Sequence, residues 1–302
     1  MKLSIVTAMY RSERFVANFH SELSKVASLV TNDYEIIFVD DGSPDASAST
    51  VASIIAVDPK VRLIKLSRNF GQSAAMLAGL RKARGELIYT SDIDLEDPPE
   101  LLGSFAEMMR EDPELNSVYG YMDRRRGTFL ERWLGAAFYW LLVVLSRERI
   151  PQQVWSRLMT RKYVDAVLTF SEYHLFWSGI FQKVGFKQAA VPVTRRKTGH
   201  TSYSYAKKID LALSAVTSFS TGPLQVIFFS GLLVSLLSFA GAVVLVCDYL
   251  RGGLVPGWAS IVLSILFMGG VTNLSIGLIG VYIGRIFIQS KNRPHFLIEK
   301  EL

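Results

Sequence analysis

The sequence predicts an α/β fold: a mostly parallel, Rossmann-like sheet with helices on both faces, followed by a two-helix transmembrane hairpin. Three observations carry this expectation. Short β-rich runs alternate with segments of helical period through residues 1–92. Two of those runs end in carboxylates. Beyond Gly222 the composition changes to long, uncharged apolar tracts.

The elements follow in order. "LSIVTAM" reads as the first strand, because the apolar run at the N-terminus is too short for a secretory signal and has no cleavage pattern. Phe15, Phe19, Leu23, Val26 and Val30 then recur at helical spacing, an apolar stripe that faces a sheet. "YEIIFVD" is the second strand and "VRLIKLS" the third. The helix-like "GQSAAMLAGLRKA" leads to a fourth, "ELIYTSD". A βαβαβαβ order of this kind makes parallel strands with crossover helices. The globular part is expected to occupy residues 1–220.

The chain has 302 residues, is half hydrophobic and carries a formal charge of +6. Such a balance suits anionic partners: nucleic acid, phosphorylated substrates or a membrane surface; of these, no nucleic acid is expected. A lone cysteine, Cys247, excludes an internal disulfide framework. Residues 224–247 and 258–284 are free of charge, and each is long enough to cross a bilayer. Lys207 and Lys208 precede the first span, and Arg285, Lys291 and Arg293 follow the second, so the positive-inside rule puts both ends in the cytoplasm. Residues 291–302 are expected to be a cytoplasmic tail. Asn273 lies within the second span, where an interhelical hydrogen bond suits it. Residues 129–149, "FLERWLGAAFYWLLVVLSRER", have an apolar core too short to span; they read as a membrane-interface helix, with an ordinary buried helix as the open alternative.

Ligands of open parallel sheets bind at the carboxyl ends of the strands. Asp40 and Asp41 close the second strand, and Asp92, Asp94, Glu96 and Asp97 crowd after the fourth. Helix capping accounts for part of this: Asp41, Ser43 and Asp45 could cap a helix that begins near Pro44, and Asp97 stands before Pro98-Pro99. Capping leaves Asp92 and Asp94 unexplained. Like charges two residues apart repel unless a cation neutralises them, and hard oxygen ligands suit Mg²⁺ or Mn²⁺ shared with substrate phosphates.

"DDGSPD", "LSRNFGQSAAMLAGLRKARGELIYTSDIDLEDPPE", "SEYHLFWSGIFQKVGF", "RRKTGHTSY" and "GVYIGRIFIQSKNRP" resemble the polyprenyl-phosphate glycosyltransferases related to dolichol-phosphate-mannose synthase. Within that family the sequence is similar to the bacterial bactoprenol-phosphate glucosyltransferases, which add two C-terminal membrane helices. The resemblance covers nearly the whole chain. It implies an A-type glycosyltransferase fold at the inner membrane and a nucleotide-diphosphate sugar donor, UDP-linked by analogy. It also implies a divalent metal, inverting transfer onto polyprenyl (undecaprenyl) phosphate, and a homo-oligomer, with a tetramer expected. The product would be a lipid-linked sugar for modifying cell-surface glycan such as lipopolysaccharide.

Carried over by position, Asp41 would read the nucleobase edge with Asp40 beside it. Asp92 and Asp94 match the metal and diphosphate motif, with Glu96 near the metal where the family has Gln. Arg68 matches a basic residue that opens the loop before the third helix. Arg196, Gly199, Thr201 and Tyr203 match a segment that folds over the donor diphosphate. Arg126, with Arg124 and Arg132, matches residues that hold the lipid phosphate; Arg is suited to such bidentate contacts. Two further departures stand out. The first loop reads Ala8-Met9-Tyr10-Arg11-Ser12 in place of the family's Pro-x-Tyr-Asn-Glu, and Trp155 replaces an acidic residue. Two other readings remain: a processive polysaccharide synthase, which fits poorly because Phe129 stands where its motif needs Gln, and a non-catalytic membrane adaptor.

Overall fold

Leu3–Met9 (β1), Tyr34–Asp40 (β2), Val61–Leu66 (β3) and Leu87–Thr90 (β4) form the parallel centre of an eight-stranded sheet. The computed structural model describes residues 2–122, 153–173, 175–194 and 257–302, with scattered positions between 224 and 251. The full strand order is β7-β5-β6-β4-β1-β2-β3-β8. Ser117–Met122 (β5) and Gln188–Val193 (β7) run parallel to each other, and Gln153–Thr160 (β6) is antiparallel to both β4 and β5. Every residue of β1 and β2 is buried, as strands covered on both faces require.

Alternation along the strands divides the core into two layers. Ile5, Ile36 and Phe38 pack with Val16, Phe19 and Leu23 of helix α1 (Glu13–Val30), Val51 of α2 (Ser47–Ile55) and Phe105 of α4 (Leu101–Glu111). Val6 and Val39 point the other way, toward α3 (Gln72–Lys82). Gly79 is what allows α3 to lie that close: a Cβ there would sit 2.3 Å from Val6 Cγ1 and 2.9 Å from Val39 Cγ2. The buried stripe of α1 is Val16, Phe19, Leu23 and Ala27, so the helix is turned slightly from the expected stripe, and Phe15, Val26 and Val30 sit at its margin.

Two short helices complete the described globular part, Arg161–Leu168 (α5) and Trp177–Lys183 (α6). Arg157 on β6 ties this half together. It is 1% exposed, and its guanidinium donates to Ser117 Oγ (2.7 Å) and Gln188 Oε1 (2.8 Å) and lies over the rings of Tyr119 and Phe181. Burial lowers its pKa to about 10, which still leaves it charged at neutral pH.

Two expectations need correction here. Asp97 does not cap a helix: α4 begins at Leu101, and Asp97 is buried, accepting a hydrogen bond from Ser156 Oγ at 2.7 Å. Pro98 and Pro99 instead form the turn before α4, their carbonyls accepting from Leu101 and Leu102 N–H. Nor is the C-terminus merely a tail. Ile298–Glu301 (β8) pairs antiparallel with β3 as the outermost strand of the sheet.

Trp258–Ser290 (α7) is a helix of 33 residues, about 50 Å long at 1.5 Å per residue, more than a bilayer core needs. Its stretch Phe267–Ser290 has a mean hydropathy of 1.6. Ile261, Ile265, Phe267, Ile276, Ile283 and Ile286 each expose more than half of their surface, which suits lipid and not water. Among the described residues this is the one helix long and apolar enough to cross a membrane, where the sequence predicts two. The first predicted span, 224–247, falls largely outside the described residues; its scattered described positions are helical. The interface helix expected at 129–149 lies outside them entirely. The chain divides into two compact units, and residues 293–302 belong with the sheet while α7 belongs to the other.

Candidate active site

The chain runs outward from β1 through β2 to β3, then crosses back to place β4 on the other side of β1. That reversal opens a crevice at the carboxyl ends of β1 and β4, the usual ligand position in such sheets. The acidic segment leaves β4 directly into it. Ser91 N–H donates to Val6 O (3.2 Å), which keeps the chain beside β1, and Leu95 N–H then turns back toward Asp92 O (3.4 Å). Leu95 has φ 53, a left-handed conformation that costs a leucine free energy and is held here by burial of its side chain. The turn leaves Ile93, Leu95 and Asp97 buried and Asp92, Asp94 and Glu96 half-buried between them.

Asp94 Oδ1 accepts from Glu96 N–H at 3.1 Å, and Asp92 Oδ1 accepts from Gln72 Nε2 at 2.8 Å. Two half-buried carboxylates are the hard oxygen donors that Mg²⁺ or Mn²⁺ takes when phosphates complete its shell. Among the described residues, no three His, Cys, Asp or Glu side chains converge as a metal site. Asp92, Asp94 and Glu96, the carboxylates expected from the sequence to meet a metal, all lie half-buried on this one turn.

The two other described motifs form one unit. Asp41 is 2% exposed, and its oxygens accept the backbone N–H groups of Phe70 (2.7 Å) and Gly71 (2.9 Å). Gly42, at φ +67, lies so close to the same loop that a Cβ would sit 2.5 Å from Arg68 C. The Asp-Gly pair after β2 thus shapes the Ser67–Gly71 loop that leads into α3. An Asp41 that reads a base edge would do so with oxygens already engaged. Its neighbour Asp40 is fully buried; Ser43 N–H donates to Oδ1 at 3.0 Å, and Oδ2 has no partner among the described residues. Burial raises the pKa of both carboxyls, against the lowering effect of these N–H donors. Arg68 is exposed, with its guanidinium 4.1 Å from the centre of the Phe70 ring. Asp45 is the residue that serves the start of α2, accepting from Ser47 N–H and Oγ.

Trp155 stands beside the acidic turn. Its carbonyl accepts from Thr90 Oγ1 at 2.6 Å, at the last residue of β4, and its indole meets Trp177 edge-to-face with centroids 6.0 Å apart. Arg124, Arg126, Arg132, Arg196, Gly199, Thr201 and Tyr203 lie outside the described residues. Sequence reading missed Gln72 and the loop-holding task of Asp41. No signal marks an amide at a helix start as a carboxylate partner, but the Asp-Gly pair, with Asn-Phe-Gly downstream, is a visible turn signature.

Residues 4–174 match glycosyl transferase family 2. The bactoprenol glucosyl transferase of Shigella phage SfV is 35% identical, with 100% of this chain and 99% of that protein aligned. A prophage bactoprenol glucosyl transferase homolog of Escherichia coli K12 is 34% identical over 99% of both. An uncharacterized glycosyltransferase of Synechocystis is 36% identical over 99% of this chain and 95% of its own length. Among solved structures, glucosyl-3-phosphoglycerate synthase from Mycobacterium tuberculosis, in complex with Mn²⁺ and uridine-diphosphate-glucose, superposes with a TM-score of 0.50 at 16% identity, covering 72% of this chain and 77% of that one; the likeness is one of fold. An acidic turn at the switch point of a mixed, mostly parallel sheet is the A-type glycosyltransferase architecture, and the chain is a glycosyltransferase belonging to family 2.

Proposed function

We propose that the protein transfers a single sugar from a nucleotide-diphosphate donor, UDP-linked, to polyprenyl phosphate at the cytoplasmic face of the membrane. The observation that carries this reading is similarity along the whole chain, membrane part included, to proteins named bactoprenol glucosyl transferase. Asp92 and Asp94, with Glu96 alongside, would hold Mg²⁺ or Mn²⁺ against the donor diphosphate; a bound ion neutralises charge that develops on the leaving group. Asp40, Asp41 and Arg68 would form the nucleotide side. Arg196, Gly199, Thr201 and Tyr203 would close over the diphosphate, with Gly199 permitting close backbone approach. Arg124, Arg126 and Arg132 would position the acceptor phosphate.

A membrane hairpin of 224–247 and 258–284 fits this assignment. The sheet contains strands from before the apolar region and β8 from after it. One folded sheet lies on one side of a membrane, so the chain between residues 204 and 293 crosses an even number of times. If α7 crosses once, a second span must accompany it, and 224–247 is the apolar tract available. The sheet domain and both termini are then cytoplasmic under the positive-inside rule. A homo-oligomer, a tetramer, is part of the same proposal.

The test is to incubate membranes containing the protein with labelled nucleotide sugars and undecaprenyl phosphate. A lipid carrying one sugar is the expected product. A polymer would make the protein a processive synthase, and no product with any donor would make it an adaptor that kept the fold.

A further inference from the structure

The segment 293–302, directly after the long helix, pairs with β3 as far as Ser67, where the Ser67–Gly71 loop begins, and also touches the C-terminal turn of α3, the helix that follows the loop. On the β3 side, Leu63 and Leu302 exchange two backbone hydrogen bonds of 2.9 Å, and Ser67 N–H donates to Leu297 O at 2.9 Å. Antiparallel alternation makes Lys65 and Lys300 the next hydrogen-bonded pair. On the α3 side, Arg81 lies over the ring of Phe296, and Lys82 Nζ is 2.6 Å from Glu301 Oε1. A third contact stacks His295 on Tyr173, centroids 5.8 Å apart. The ion pairs are half-exposed and contribute little individually, so the ladder and the ring contacts carry the hold.

Without β8, β3 would be the edge of the sheet, and edge strands fray first. The strand that would fray feeds the loop whose Phe70 and Gly71 N–H groups bind Asp41. We propose that residues 295–302 are a positioning element of the donor site: by fixing β3 and α3 together they hold the Ser67–Gly71 loop in its nucleotide-taking conformation. The segment that leaves the membrane helix is thus part of the donor site's frame. The inference rests on the reading of this loop as the nucleotide side.

The experiment uses the full-length protein in detergent and three variants: a chain ending at Asn292, Lys300→Pro, which removes a ladder N–H, and Phe296→Ala, which keeps the ladder and removes the ring under Arg81. Nucleotide affinity is titrated with UDP, and donor and acceptor KM are measured separately. The expected result is a rise of about tenfold in UDP Kd and donor KM, from a smaller population of the competent loop, with acceptor KM unchanged. A synthetic peptide of residues 293–302, added to the truncated chain, should restore UDP binding by strand addition. If truncation leaves the chain unfolded, Phe296→Ala carries the test by the same split. Unchanged UDP affinity in the folded variants overturns the proposal. So does a parallel rise of donor and acceptor KM without peptide rescue, which is the mark of general damage. Absence of UDP binding by the intact protein overturns the donor-loop reading itself, and the inference with it.

Discussion

Gln72 donates from Nε2 to Asp92 Oδ1 at 2.8 Å, and the helix it starts is anchored by Asp41 through the N–H groups of Phe70 and Gly71. The two acidic clusters are therefore mechanically connected: one holds the loop that carries the amide that orients the other. A carboxylate offered to a metal keeps its direction through such outer hydrogen bonds. Gln72→Ala should weaken Mn²⁺ binding in the presence of UDP by about 10-fold or more, the usual range for loss of an outer partner. Paramagnetic resonance titration of free Mn²⁺ reads this without turnover. An unchanged Mn²⁺ affinity would mean the amide is incidental.

Asp94 is the stronger case at the same turn. Asp94→Asn keeps the acceptor for Glu96 N–H and removes the charge, so the turn should survive and the metal affinity should not. Most turnover should be lost, and chelation of the intact enzyme should mimic the substitution. Full activity in EDTA would sink the metal assignment for Asp92 and Asp94 together.

Asp40 presents a conflict between stability and function. It is fully buried, Oδ2 has no partner among the described residues, and burial raises its pKa. A raised carboxyl pKa means that the ionised form destabilises the fold at neutral pH, a cost relieved as pH falls through the folded-state value. Asp40→Asn should stabilise the ligand-free protein at pH 7, because it removes the buried charge although the amide that replaces Oδ2 still lacks a partner among the described residues. The gain should shrink on acidification, while nucleotide affinity falls. Melting temperatures of both proteins between pH 7 and pH 4, roughly the interval down to the ordinary carboxylate range, check the sign. A destabilised Asp40→Asn at neutral pH would show that the charge is compensated in the fold.

The strands and their order of appearance were legible because period-2 and period-3.6 patterns are local. "LSIVTAM" and "YEIIFVD" coincide with β1 and β2 at both ends. What is not local was not legible. β8 is four residues of mixed character, "IEKE", whose only claim to be a strand is the open edge of β3, more than 200 residues earlier. Asp97 carries a capping signature, yet Ser156 on an antiparallel neighbour takes it inside. The acidic site was visible because mutual repulsion needs a reason. Gln72 was not, because a neutral amide explains itself.

Trp155 raises the question of a missing base, and the nature of the acceptor answers it. A sugar hydroxyl is a weak nucleophile until its proton is removed. A phosphate monoester has a second pKa near ~6, so at neutral pH its oxygens already carry nearly two charges and attack without a protein base. What it needs is position and partial charge compensation, tasks proposed for Arg124, Arg126 and Arg132. Trp155, its backbone carbonyl held by Thr90 Oγ1 and its indole braced by Trp177, would then pack beside the site, and the acid it replaces need not be supplied elsewhere. Glu172 offers the sharpest control. Its carboxyl is raised by burial, it stands just ahead of α6, and it is the kind of group that would serve as a base if one were required. Activity should rise as the acceptor phosphate ionises, near pH ~6, with no further limb from the enzyme. Glu172→Gln should leave that profile in place, and Arg126→Ala should raise the acceptor KM more than the donor KM. A limb that disappears with Glu172→Gln would identify a protein base and remove the argument that the phosphate is its own nucleophile.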